Sequence, residues 1–165
     1  MELYFLRHAI ALEPKDFKGS DPERPLTEEG IEKIKQAAKG LATFAVDFDA
    51  VVSSPYTRAR HTAEIVAKVI GLKSKIQYSD AMTPFAHFKD FLKLIEEFSA
   101  NDKILLVGHQ PTIGQFVSHL VFGRETANID ISKGGLCRVD IPNAETGILG
   151  ELKWLLTCQQ LRNLA

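Results

Sequence analysis

What this chain has little of narrows the field before any motif is considered. Its 165 residues include only two cysteines, Cys137 and Cys158, far below the density of a disulfide-stapled secreted domain. No basic region precedes a long apolar segment at the N-terminus, so no secretory signal is visible and both thiols read as reduced and structural. No apolar run approaches the ~20 residues of a membrane span. Lys and Arg together number 20 against 21 Asp and Glu, for a net charge of -1. There is thus no basic excess to attract nucleic acid and no acidic excess to favour disorder. Internal repeats, low-complexity tracts and linkers are also missing. The expectation is a soluble, cytoplasmic protein with one domain over 1–165 and no nucleic-acid or membrane partner.

What is present is a run of short apolar segments that alternate with helical patterns. Leu3-Tyr4-Phe5-Leu6 is an unbroken apolar stretch that stops at Arg7 and His8, as a buried strand leaving a sheet would. Residues 9–26 carry Pro14, Gly19, Pro22 and Pro25 among charges and read as a long loop, a kind often functional. Thr27 as N-cap with Glu28 and Glu29 behind it opens a helix, with Ile31, Ile34, Ala38, Leu41 and Phe44 at helical spacing. Asp49–Ser54 reads as a second strand. Ser54 as N-cap and Pro55 in the first turn open a second helix, which Gly71 closes. Lys75–Tyr78 forms a short third strand, and Phe88, Phe91, Leu92, Ile95 and Phe98 mark another helix. Lys103–Gly108 is the clearest strand, followed by a helix from near Pro111. Leu136–Ile141 and Glu151–Leu156, joined through Pro142, Asn143 and Gly147, read as a final antiparallel pair. The sum is an α/β fold with three αβα layers: a mostly parallel central sheet, helices on both faces, and an antiparallel edge near the C-terminus.

Three strand ends carry chemistry. The first ends in Arg7 and His8, the second in Ser53 and Ser54 with Arg58 one helical turn on, and the fourth in His109. Parallel strands bring their carboxyl ends to one edge, where ligands of open α/β sheets bind. A lone arginine there is usually a solvated surface group, and a lone histidine usually structural. Two arginines, a helix start and two histidines together point to a site for a tetrahedral oxyanion, with a nucleophile or base beside it.

These stretches also resemble the blocks of a known family. Leu6-Arg7-His8-Ala9, the segment from Ser53 to Ala63, and Val107-Gly108-His109-Gln110-Pro111 are similar to the three signature blocks of the histidine phosphatase (phosphoglycerate-mutase-like) superfamily. Arg24-Pro25-Leu26-Thr27-Glu28-Glu29-Gly30 resembles a segment of its small SixA-like branch. The resemblance implies that His8 is the nucleophile, forming a phosphohistidine intermediate. It implies that Arg7, Arg58 and His109 are catalytic and hold the phosphoryl group, and that no metal or other cofactor is needed. Ala9 stands where the family commonly has glycine.

The acidic residue with which larger members protonate the leaving oxygen has no secure match; Asp80 is the candidate. An alkoxide leaves badly without such an acid, whereas a protonated phosphoimidazole does not need one. The implied activity is therefore hydrolysis of phosphohistidine on a protein phosphocarrier or phosphotransfer domain. The alternatives are a small-molecule phosphomonoester phosphatase and a catalytically silent module that binds phosphorylated partners. The 9–26 loop and residues 79–88 are expected to flank the site as a docking surface. His61 stands at the rim or on the surface, His87 is a possible neighbour of the pocket, and His119 has no assigned role.

Overall fold

A computed structural model describes residues 1–72, 76–124, 128–142 and 150–165. Its centre is a six-stranded sheet formed by β1 (Glu2–Arg7), β2 (Ala50–Ser53), β3 (Ile76–Tyr78), β4 (Lys103–Gly108), β5 (Leu136–Asp140) and β6 (Glu151–Leu156). The spatial order is β3-β2-β4-β1-β5-β6. The first four in that order run parallel, and β5 and β6 are antiparallel additions beside β1. Five helices cover it: α1 (Glu28–Ala42), α2 (Thr57–Val69), α3 (Phe88–Ile95), α4 (Thr112–Phe122) and α5 (Cys158–Arg162). This is the expected α/β architecture.

The alternation of side chains along each strand sorts the core into two layers. Leu3, Phe5, Ile104 and Leu106 face α3 and α4, where Phe91, Phe116, Val117 and Leu120 close over them. Tyr4, Leu6, Leu105 and Val107 face α1, α2 and α5, meeting Ile34, Ala38, Ala63, Val66 and Leu161. Covering on both sides is why β1 and β4 read as unbroken apolar runs. Among the described residues no helix is long and apolar enough to cross a membrane. Cys137 and Cys158 are both free thiols.

Three local expectations are revised. Thr27 caps α1 as foreseen, accepting from Gly30 N at 3.0 Å. The second helix, however, begins at Thr57 rather than at Pro55. Ser54 lies one residue past β2 but still pairs with β4, its N–H donating to Val107 O at 2.9 Å, and its hydroxyl accepts from Tyr56 N in a tight turn. Phe44 lies beyond the buried stripe of α1, 40% exposed and stacked on Trp154 at 5.6 Å. Lys75, Asn143 and Gly147 lie outside the described residues.

The third revision is α5, which the periodicity did not register. Its start is a capping box, Thr157 and Gln160 each accepting the other's backbone N–H at 3.2 and 2.8 Å, a signature visible in the residues themselves. The helix docks on α1 at Gly40, where an added Cβ would lie 1.8 Å from Leu161 O. This explains a glycine inside a helix. Intrinsic propensity favours Gly40→Ala by about 1 kcal/mol. The backbone contact should reverse that sign, with Gly40→Ala destabilising by about 1–3 kcal/mol, as read from urea unfolding midpoints. A variant as stable as the parent would show that α5 does not dock this closely.

Candidate active site

Strand pairing assembles the site. β1 and β4 run in register with Arg7 opposite Gly108, and His8 N donates to Gly108 O at 3.0 Å. The residues that follow these partners, His8 and His109, therefore stand side by side, with ring centroids 5.0 Å apart. β2 is the other neighbour of β4, which brings Ser54 to His109 Nε2 at 2.9 Å and places Arg58 one turn further on. All four residues expected at the site are thus gathered at one sheet edge.

The backbone around His8 is clamped from two sides. Gly134 N donates to both Arg7 O and His8 O, at 3.1 and 3.2 Å, and Arg7 N donates to Gly135 O. Gly134 has φ +72°, a conformation that suits glycine. On the other side Ala9 N donates to Thr62 Oγ1 at 3.0 Å, and that hydroxyl donates to Arg58 O. The His8 loop is tied in this way to the helix that carries Arg58.

Hydrogen bonding sets the state of each imidazole. His8 Nδ1 lies 2.7 Å from Ala9 O. A carbonyl oxygen can only accept, so Nδ1 bears the proton and Nε2 keeps its lone pair. Burial, with help from the positive charges of Arg58, Arg7 and Arg24 and against the Ala9 bond, lowers the His8 pKa to about 3. Burial and the same cationic surroundings lower that of His109 to about 2. Both rings are neutral at pH 7. Ser54 Oγ already accepts from Tyr56 N, and its own proton has His109 Nε2 as acceptor. That arrangement leaves His109 Nδ1 as a buried N–H without a partner among the described residues.

The arginines are oriented by groups that the sequence reading did not single out. Asp21, on a 3-10 turn within the 9–26 loop, takes both terminal nitrogens of Arg58: NH1 donates to its carbonyl at 2.8 Å and NH2 to its carboxylate at 3.0 Å. The other carboxylate oxygen accepts from Arg24 Nε at 2.9 Å. Partial burial raises the Asp21 pKa, but the hydrogen bonds and charges of Arg24 and Arg58 outweigh it and leave the carboxyl ionised. Arg7 donates through NH1 to Ile131 O at 2.8 Å and stands 3.6 Å from Asp130. Arg7 Nε and Arg58 Nε are buried and have no partner among the described residues. Three buried donors, one from each arginine and one from His109, are thus left without a partner among the described residues, on side chains gathered with His8. The clue to Asp21 was local: Ser20 and Glu23 form a capping box around the turn that carries it.

The remaining candidates lie elsewhere. Asp80 is exposed on the 3-10 turn after β3, and none of its described contacts reaches the four-residue cluster. His87 is exposed at the start of α3. His61 lines a groove with Lys35 and Lys68 that contains none of the four. His119 stacks on Phe88 at 4.3 Å.

The fold and the cluster define an α/β protein that gathers two arginines and two neutral histidines at the carboxyl edge of its parallel strands. Comparison with known proteins agrees. Residues 3–83 match the family model of the histidine phosphatase superfamily, branch 1. An uncharacterized protein of Picosynechococcus sp. is 34% identical over 94% of this chain and 99% of its own length. Phosphohistidine phosphatase SixA of Escherichia coli is 26% identical over 74% of this chain and 76% of its own. Among solved structures, the protein histidine phosphatase SixA complexed with tungstate superimposes with a TM-score of 0.83, at 23% identity over 98% of this chain and 99% of that one. The α-ribazole phosphatase of Shigella flexneri does so at 0.76, with 19% identity over 96% and 97%. The chain belongs to the histidine phosphatase superfamily, and its similarities support phosphatase activity.

The neutral histidines carry a pH signature. Unfolded, each takes up a proton near its ordinary value of 6.5; folded, each resists until far lower pH. Between those values the unfolded chain binds more protons, so stability is full above pH ~6.5 and falls as pH drops. Each histidine contributes up to about 1.4 kcal/mol per pH unit to that slope. Urea unfolding of His109→Asn between pH 7 and 5, in phosphate-free buffer, should show a slope shallower by up to that amount. An unchanged slope would mean that His109 is not held neutral.

Proposed function

We propose that this protein is a metal-independent phosphatase that hydrolyses phosphohistidine on a protein phosphocarrier or phosphotransfer domain, through a phosphohistidine intermediate on His8. The observation that carries the reading is the His8 Nδ1–H bond to Ala9 O, which presents an unprotonated Nε2 at neutral pH. In the first step Nε2 attacks phosphorus and the P–N bond to the substrate imidazole breaks. The electron pair goes to the substrate nitrogen. When the second nitrogen of that ring is already protonated, the group departs as neutral imidazole and needs no proton from the enzyme. Arg7, Arg58 and His109 stabilise the charge on the equatorial oxygens, and the positive field of the two arginines takes the part that a metal ion plays elsewhere.

The second step uses the same logic. Phosphorylated at Nε2 with its proton kept on Nδ1, His8 is cationic and leaves readily when water attacks phosphorus. The Ala9 carbonyl holds that proton through both steps. The carboxylates described next to the cluster, Asp21 and Asp130, are each paired with an arginine, and Asp80 has no described contact with it. An alkoxide leaving group would lack an evident acid, which favours P–N over P–O cleavage. The phosphomonoester alternative would need Asp80 or His87 to supply that proton.

The test is turnover of a phosphohistidine-bearing protein and of alkyl phosphomonoesters, each with EDTA present, together with trapping of labelled enzyme. The phosphohistidine protein should be hydrolysed at least about a hundredfold faster by kcat/KM, a difference of ~2.7 kcal/mol in barrier. Label should appear on the wild type and be absent from His8→Ala. Comparable turnover of monoesters, slowed sharply by Asp80→Asn, would instead establish the phosphomonoester reading. Loss of activity in EDTA would overturn metal independence. Absence of labelled enzyme with every substrate would overturn catalysis through His8.

A further inference from the structure

Arg7 also lines a second feature, a cleft of about 480 Å³ on the α1 and α5 side of the sheet edge. Its charge is uneven. Among the described residues Arg7, Lys33, Lys133 and Arg162 contribute four cations to the lining, and Asp130 is its one carboxylate. The cations come from β1, α1, the segment before β5, and α5, so the tertiary fold gathers them. The hydroxyl of Ser132, also in the lining, is buried and has no partner among the described residues.

Arg7 is held by Ile131 O and Asp130, but the other three cations are lightly committed. Arg162 donates to two neutral amides, Gln36 at 2.8 Å and Gln159 at 3.0 Å. Lys133 lies 3.5 Å from Glu13, and Lys33 2.5 Å from Glu29. Both glutamates are more than half exposed, and exposed pairs of this kind contribute about 0–1 kcal/mol and exchange partners readily. The cleft therefore offers cationic groups to an incoming carboxylate at little cost. Its volume lies within the usual range for ligand sites and exceeds what one carboxylate fills.

We propose that this cleft takes a carboxylate-bearing segment of the phosphorylated protein substrate, next to the phosphohistidine held at His8. The proposal rests on the phosphohistidine reading of the site and adds what selects the protein. Arg7 faces both the phosphoryl group and the cleft, so the two sites are contiguous. A chain advances by ~3.3 Å per extended residue, which puts acidic side chains one to three positions from the phosphohistidine within reach. The occupant is an acidic protein segment because charge complementarity requires anions and the volume accommodates several residues. Like charges placed there would be rejected.

Two synthetic peptides with a central histidine, one flanked by glutamates and the other by glutamines, test this. Unphosphorylated, the glutamate peptide should bind the wild-type protein about tenfold more tightly at low salt. The preference should vanish in Lys133→Glu/Arg162→Glu and in about 0.5 M salt. Phosphorylated on histidine, the pair should differ in kcat/KM in the same way, while turnover of phosphoramidate by the double variant stays near the wild-type value. Equal binding of the two peptides, or a preference that survives the double variant, would overturn the proposal. So would an equal loss on phosphoramidate, which would place the damage at the phosphoryl site. Binding preference with no turnover of either phosphopeptide would overturn the phosphohistidine reading and leave the cleft standing. Turnover without preference would overturn the cleft alone.

Discussion

The parallel ladder between β1 and β4 is the constraint on which the site depends. Its register sets Arg7 opposite Gly108, so the next residue of each strand leaves the sheet at the same height and on neighbouring paths. Two histidines about a hundred positions apart thereby meet with ring centroids 5.0 Å apart. A slip of one residue would turn His8 away from His109 and also move Tyr4 and Leu6 to the opposite core layer. The same apolar packing that stabilises β1 thus fixes the geometry of its charged end.

Electrostatics at the edge follow from burial more than from any one ion pair. Burial keeps both imidazoles neutral, so the positive charge rests on arginines and His8 retains a lone pair at Nε2. Asp21 reconciles the crowding of like charges by bridging Arg24 and Arg58. It also occupies the outer edge of Arg58 and leaves the buried Nε facing other partners. An uncompensated arginine pair of this kind would be costly to bury. A lysine in place of Arg58 could not hold Asp21 with one face and offer a second donor with another.

The chemistry then turns on where a proton is kept. In the proposed reaction Ala9 O holds the proton of His8 Nδ1 through attack, intermediate and departure, so the ring would serve as both nucleophile and leaving group without a change of tautomer. This constraint is satisfied by the chain alone, and it suits a substrate whose own imidazole carries its proton. The paired state of Asp21 and Asp130 points the same way.

Residue type and order by themselves determined the layers of this protein. Unbroken apolar runs in β1 and β4 announce strands covered on both faces, and the alternation of elements dictates a mostly parallel sheet with its carboxyl ends on one edge. Arg7, His8, Arg58 and His109 were legible because each follows a strand end that local patterning reveals. Asp21, Gly134 and Thr62 were not, since their roles depend on contacts 37, 126 and 53 positions away and leave no periodic trace. The start of α2 was misplaced for a related reason: the Ser54 hydroxyl serves the Tyr56 turn and His109 across the sheet instead of a helix. Only tertiary structure decided which state each histidine adopts and which cations share a cleft, because burial and partners are properties of the folded chain.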